Sequence, residues 1–144
     1  MKKRNITFTT ILLVLGCFAM GSVPSASAST PTPVPVTITA VYDFSTFPYV
    51  TGTFTTTGLG GISGSTTMLV GPNVNGIIAH CVVTLMPSTG GSIIIDQECQ
   101  FATSPPKGRW EIVGGTGAYA NLNGNGSLLM PPETEAMTGF IYPH

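Results

Sequence analysis

The sequence predicts an all-β domain of eight short strands, arranged as a sandwich or an up-and-down barrel. Three observations carry that prediction. Apolar and polar residues alternate in short runs, the pattern of strands with one face buried. Clusters of Gly, Pro and Asn separate the runs, as in Gly58–Gly61, Gly71-Pro-Asn-Val-Asn-Gly76, Pro87–Gly91 and Pro131-Pro132. No stretch after residue 28 has a convincing helical pattern.

The first 28 of the 144 residues stand apart. Met-Lys-Lys-Arg-Asn leads into the apolar run Ile11–Met20 and then Ala26-Ser-Ala28, the composition of a secretory signal peptide cleaved after Ala28. The protein is therefore expected to be secreted. The run is too short and too early for a spanning helix, and none is expected in the mature chain. A rival reading anchors the protein by a lipid on Cys17, since Val14-Leu-Gly-Cys17 loosely resembles a bacterial lipobox. Against it, the apolar run continues past Cys17. The mature chain keeps two cations, Lys107 and Arg109, against six acids. It lacks the basic face that nucleic acid requires. Its length suits one domain, residues 36–144, after a Pro/Thr-rich extended leader at 29–35.

The strands follow in order. Val36–Phe44 places Val36, Ile38, Ala40, Tyr42 and Phe44 on one face. Val50–Thr57 is Thr-rich, with Gly52 as a bulge or close-approach point. Ser63–Val70 is the third strand, and Asn75-Gly76 favours a tight turn after it. Gly76–Met86 and Gly91–Phe101 form a hairpin. Centring it on Gly90 places Cys81 opposite Cys99, on an apolar face with Ile77, Ala79, Val83, Leu85, Ile93, Ile95 and Phe101. In an exported protein two cysteines most simply form one disulfide, and this one would stabilise by about 3 kcal/mol in the chain-entropy picture. The other reading is two free buried thiols. Only His80 and His144 could complete a zinc site, and no metal is expected. Arg109–Val113 is the sixth strand. Gly114, Gly115 and Gly117 then form a glycine turn before Tyr119 and Leu122. Leu122–Met130 and Glu135–Tyr142 complete the set.

Trp110-Glu-Ile-Val-Gly-Gly-Thr-Gly-Ala-Tyr-Ala-Asn-Leu-Asn-Gly124 resembles the Gly-Gly-Thr-Gly-x-aromatic segment of the allene oxide cyclase and dirigent barrel superfamily, in particular its small secreted bacterial members. Gly52-Thr-Phe-Thr-Thr-Thr-Gly58 is similar to an early strand of such proteins. The resemblance implies an eight-stranded antiparallel up-and-down β-barrel with a central cavity, often oligomeric, so a homo-oligomer is a possible partner state. One difference concerns chemistry: Ala120 and Asn123 stand where plant dirigent proteins carry arginines. The resemblance therefore transfers a fold and no activity.

The chemical candidates are few. His80, Asp96 and Glu98 share one face of the hairpin, where a carboxylate and a histidine could exchange protons; the plainer reading is a wet outer wall. Glu111 fits an exposed strand acid. Tyr42, Phe44, Phe54, Trp110 and Tyr119 could line an apolar pocket for a small hydrophobic ligand or simply pack the core. The glycine turn lacks the Gly-Lys-Ser/Thr ending and following helix of a phosphate loop, and no cofactor is expected. Three functions remain open: a binder of a small hydrophobic molecule, a cofactor-free isomerase, cyclase or dirigent-like stereochemical guide, and a structural or surface-interaction protein with a filled barrel.

Overall fold

The computed structural model describes residues 31–142. The expected signal peptide, Cys17, the first leader residues and His144 lie outside the described residues. The chain forms a closed antiparallel barrel: β1 (Val34–Asp43), β2 (Tyr49–Thr57), β3 (Ser63–Val74), β4 (Ile78–Pro87), β5 (Ser92–Gln100), β6 (Lys107–Thr116), β7 (Asn123–Leu129) and β8 (Thr134–Tyr142). Each strand pairs with the next, and β8 closes on β1. The only helical pieces among the described residues are single 3-10 turns at Phe44–Thr46 and Gly117–Tyr119. β1 takes in the last two residues of the expected leader.

Alternation decides which residues enter the core. Val36, Ile38, Ala40 and Tyr42 of β1 point inward, as do Ala79, Cys81, Val83 and Leu85 of β4 and Ile93, Ile95, Gln97 and Cys99 of β5. Trp110, Phe54, Met68, Leu128, Met137 and Ile141 fill much of the remaining interior. Burying a side chain of this size contributes about 1.5–3 kcal/mol, so this packed interior dominates stability. Trp110 also satisfies its indole N–H, which donates to the Ser127 and Thr138 carbonyls at 3.1 and 3.2 Å. Gly52 is a close-approach point: a Cβ there would lie 2.1 Å from the Val41 carbonyl oxygen.

Three expectations need correction. The β4–β5 register pairs Cys81 with Gln97 and Cys99 with Ala79, so the cysteines are diagonal rather than opposite. The turn is responsible. Gly90 N–H donates to the Pro87 carbonyl at 3.0 Å, and Gly90 and Gly91 both have positive φ, which centres the reversal one residue earlier. No Cys81–Cys99 bridge forms; both are free, buried thiols. Phe101 and Ile77, expected inside, are partly exposed at the barrel end. Third, Gly114 and Gly115 belong to β6, paired with Ile94 and Ile93, and only Gly117 turns the chain at positive φ.

Candidate functional site

The alternation that fills the core also carries polar groups inward. On β8, Glu135 has the parity of Met137 and Ile141 and is 0% exposed. On β1, Tyr42 has the parity of Ala40 and Ile38. Closure of β8 on β1 brings the two together: Tyr42 Oη donates to Glu135 Oε2 at 2.9 Å. Tyr42 N–H also donates to the Glu133 carbonyl at 3.0 Å, which ties the end of β1 to the turn before β8.

The surroundings leave this carboxyl half satisfied. Oε1 has no hydrogen-bond partner among the described residues. Gln97 lies close enough to favour the charged form, but its amide nitrogen is directed at Met137 Sδ, at 3.2 Å. Burial dominates and pushes the Glu135 pKa up to about 7, against the opposing pull of the Tyr42 hydrogen bond and the Gln97 amide. Tyr42 is raised by burial first and by the Glu135 charge second, so it remains a proton donor. Cys81 and Cys99 complete the polar group. The Cys99 thiol donates to Gln97 Oε1 at 3.9 Å, and its interaction with Cys81 lowers Cys81 and raises Cys99. The Gly71 backbone N–H also supports Cys81.

The Tyr42–Glu135 pair lies toward the barrel end formed by the β1–β2, β3–β4, β5–β6 and β7–β8 connections. Phe44, at the start of the first connection, meets the Tyr42 ring edge-on, with centroids 6.0 Å apart and an interplanar angle of 64°. Phe44 also lines a concavity of about 540 Å³ with Phe101, Pro105, Pro106, Met130 and Glu133. Met130 N–H donates to the Pro106 carbonyl at 2.8 Å, and Phe101 N–H to the Ile77 carbonyl at 2.8 Å, which links the loops of this mouth.

The residues anticipated from sequence scatter. Phe54 and Trp110 are core, Tyr42 is in the polar pair, and Phe44 is at the mouth. Tyr119 sits at the far end, its hydroxyl 3.4 Å from that of Thr89. These five do not form one pocket. His80, Asp96 and Glu98 do come together, on the outer wall, where they line a concavity of about 560 Å³ with Arg109 and Glu111. There Glu98 is paired to Arg109 at 2.9 Å, and Asp96 lies opposite Glu111. This is a wetted face with an exposed ion pair. Glu135 and Gln97 were the residues missed. Their parity with Met137 and with Ile95 and Cys99 was the available signal.

No protein-family model and no curated protein matches the chain. Among solved structures it is similar to the pterocarpan synthase dirigent protein GePTS1, with a TM-score of 0.50 and 13% identity over 90% of this chain and 99% of that one. At that identity the likeness shows fold alone: this is a dirigent-like barrel.

Proposed function

We propose that this is an exported dirigent-like barrel that takes a small, mainly apolar molecule at the Phe44–Phe101 mouth and presents its polar group to Tyr42 and Glu135. The observation that carries this reading is Glu135 Oε1, fully buried without a partner beside a satisfied Oε2. Burying a carboxyl in this way is costly. A site that keeps one has an oxygen in reserve for a ligand. The filled barrel supports binding at the mouth rather than deep in a lumen, because Trp110, Phe54, Leu85 and Met137 occupy the interior. Export rests on the Met1–Ala28 pattern.

A second reading is favoured by one further fact. A carboxyl whose pKa lies near 7 can both give and take a proton at neutral pH. With Tyr42 as its hydrogen-bond donor, Glu135 would serve as acid or base in a cofactor-free isomerisation or cyclisation.

Native mass spectrometry of the protein recovered from its culture medium tests the first reading. The expected result is a discrete extra mass that is lost on denaturation and absent from Glu135→Gln. A bare chain in both proteins would favour a filled, structural barrel. If a ligand is found, its hydrogen exchange in deuterated water tests the second reading: with the ligand at concentrations that saturate the variant, Glu135→Gln should stop protein-dependent exchange.

A further inference from the structure

The mouth carries acid and no base. Glu133 lines the concavity, and Asp43 immediately precedes Phe44, its carboxylate accepting the Ser45 N–H at 2.9 Å. Glu135 lies behind them, one oxygen unpartnered. Among the described residues, no Lys, Arg or His lines the concavity. Lys107 follows Pro106 in the chain, but it lines the neighbouring outer-wall concavity with Glu98 and Gln100. The remaining lining is the rings of Phe44 and Phe101, Met130 and four prolines, together with Ser104.

We infer that the mouth selects a hydrophobic monocation, an arylalkylammonium or a molecule of that chemistry, over neutral and anionic molecules of the same shape. This rests on the reading that the mouth takes a small molecule, and it adds the ligand's charge. Each component of the lining has a role. The proline and methionine surfaces cover the apolar body of the ligand. The faces of Phe44 and Phe101 attract a cation through their ring quadrupoles. Glu133 supplies a formal charge at the rim, and the inner carboxyl adds a field of the same sign when ionised. A carboxylate ligand would meet acid with no compensating base, which weighs against fatty-acid-like and aryl-acid ligands.

The test uses three probes that share a phenethyl group and differ in head: phenethylamine, phenethyl alcohol and hydrocinnamate. Their binding to the intact protein is measured by calorimetry at about pH 8, in low and high salt. The amine should bind roughly 5–30-fold more tightly than the alcohol, from one exposed ion pair and one cation–π contact, and the acid most weakly. Salt should narrow the amine's advantage. Glu133→Gln should weaken the amine several-fold and leave the alcohol unchanged. Phe101→Leu, which keeps the apolar volume and removes a ring, should likewise cost the amine more than the alcohol. Equal binding of amine and alcohol, or a preference for the acid, overturns the charge selection while leaving the mouth a ligand site. Failure of all three to bind overturns the inference together with the reading beneath it.

Discussion

The two ends of the barrel are built from opposite materials. At the far end the chain reverses through Gly58, Gly60 and Gly61, through Gly90 and Gly91, and through Gly117, six of the seven described glycines at positive φ. Those reversals rest on the backbone freedom of glycine, with Leu59, Ile62 and Leu122 beside them packed against the core. At the mouth the connections carry Phe44, Phe47, Pro48, Phe101, Pro105, Pro106, Pro131 and Pro132. There prolines and aromatic rings shape the turns and present surface. Only the mouth end has a buried acid beneath it. One end closes the sheet, while the other offers chemistry.

The sharpest way to break this comparison is to put bulk where the far end has none. A Cβ on Gly115 would lie 2.4 Å from the Tyr119 carbonyl oxygen and 2.8 Å from that of Ser92. Gly115→Val should cost about 3 kcal/mol or more in urea unfolding, because backbone must move to admit it. A loss below about 1 kcal/mol would mean the far end is loose.

Next comes the mouth's acid. The unfolded Glu135 titrates near 4.5 and the folded one near 7. Below the first value both states hold the proton and stability is unaffected. Between the two, the unfolded chain ionises first and stability falls. Above about 7 the loss is complete, on the order of 3 kcal/mol. Glu135→Gln should flatten this segment of the stability–pH curve. An unchanged slope in the variant would place the titration elsewhere.

Tyr42→Phe follows. It removes the Tyr42 hydroxyl that donates to Oε2 and should cost about 2 kcal/mol at pH 8, and less at pH 5, where Glu135 is protonated. It should also drive the Glu135 midpoint higher, read from the carboxyl carbon shift in NMR. Smallest in stability is Phe44→Ala, a half-exposed ring worth about 1 kcal/mol. It should still lower the Glu135 midpoint toward 4.5 by admitting water. A midpoint that stays near 7 would show that Phe44 does not cover the pair.

The same contrast explains what could be read in the sequence. Strand parity is local, so Val36–Tyr42 and Ala79–Leu85 declared their inward faces at once. The Gly-rich far-end turns were also visible, although two neighbouring positive-φ glycines shifted the centre of the β4–β5 reversal and separated Cys81 from Cys99. The candidate site was not legible. Tyr42 and Glu135 are 93 residues apart and meet only through closure of β8 on β1. Glu135 shares the parity of Met137, but depth along the barrel and choice of neighbour depend on register around the whole circuit. His80, Asp96 and Glu98 were conspicuous because acids on an outer wall have no need of concealment.

Cys81 and Cys99 form a record of how often the molecule opens. Both thiols are fully shielded, and the sheet around them has no free edge from which to fray. An alkylating reagent can reach them only when β4 and β5 part from their neighbours, so the rate of labelling in native buffer measures the population of that excursion. Labelling should accelerate in proportion to the stability each variant loses: most in Gly115→Val, less in Tyr42→Phe and least in Phe44→Ala. The barrel thus keeps its own time, with a pair of sulfur atoms as the hands.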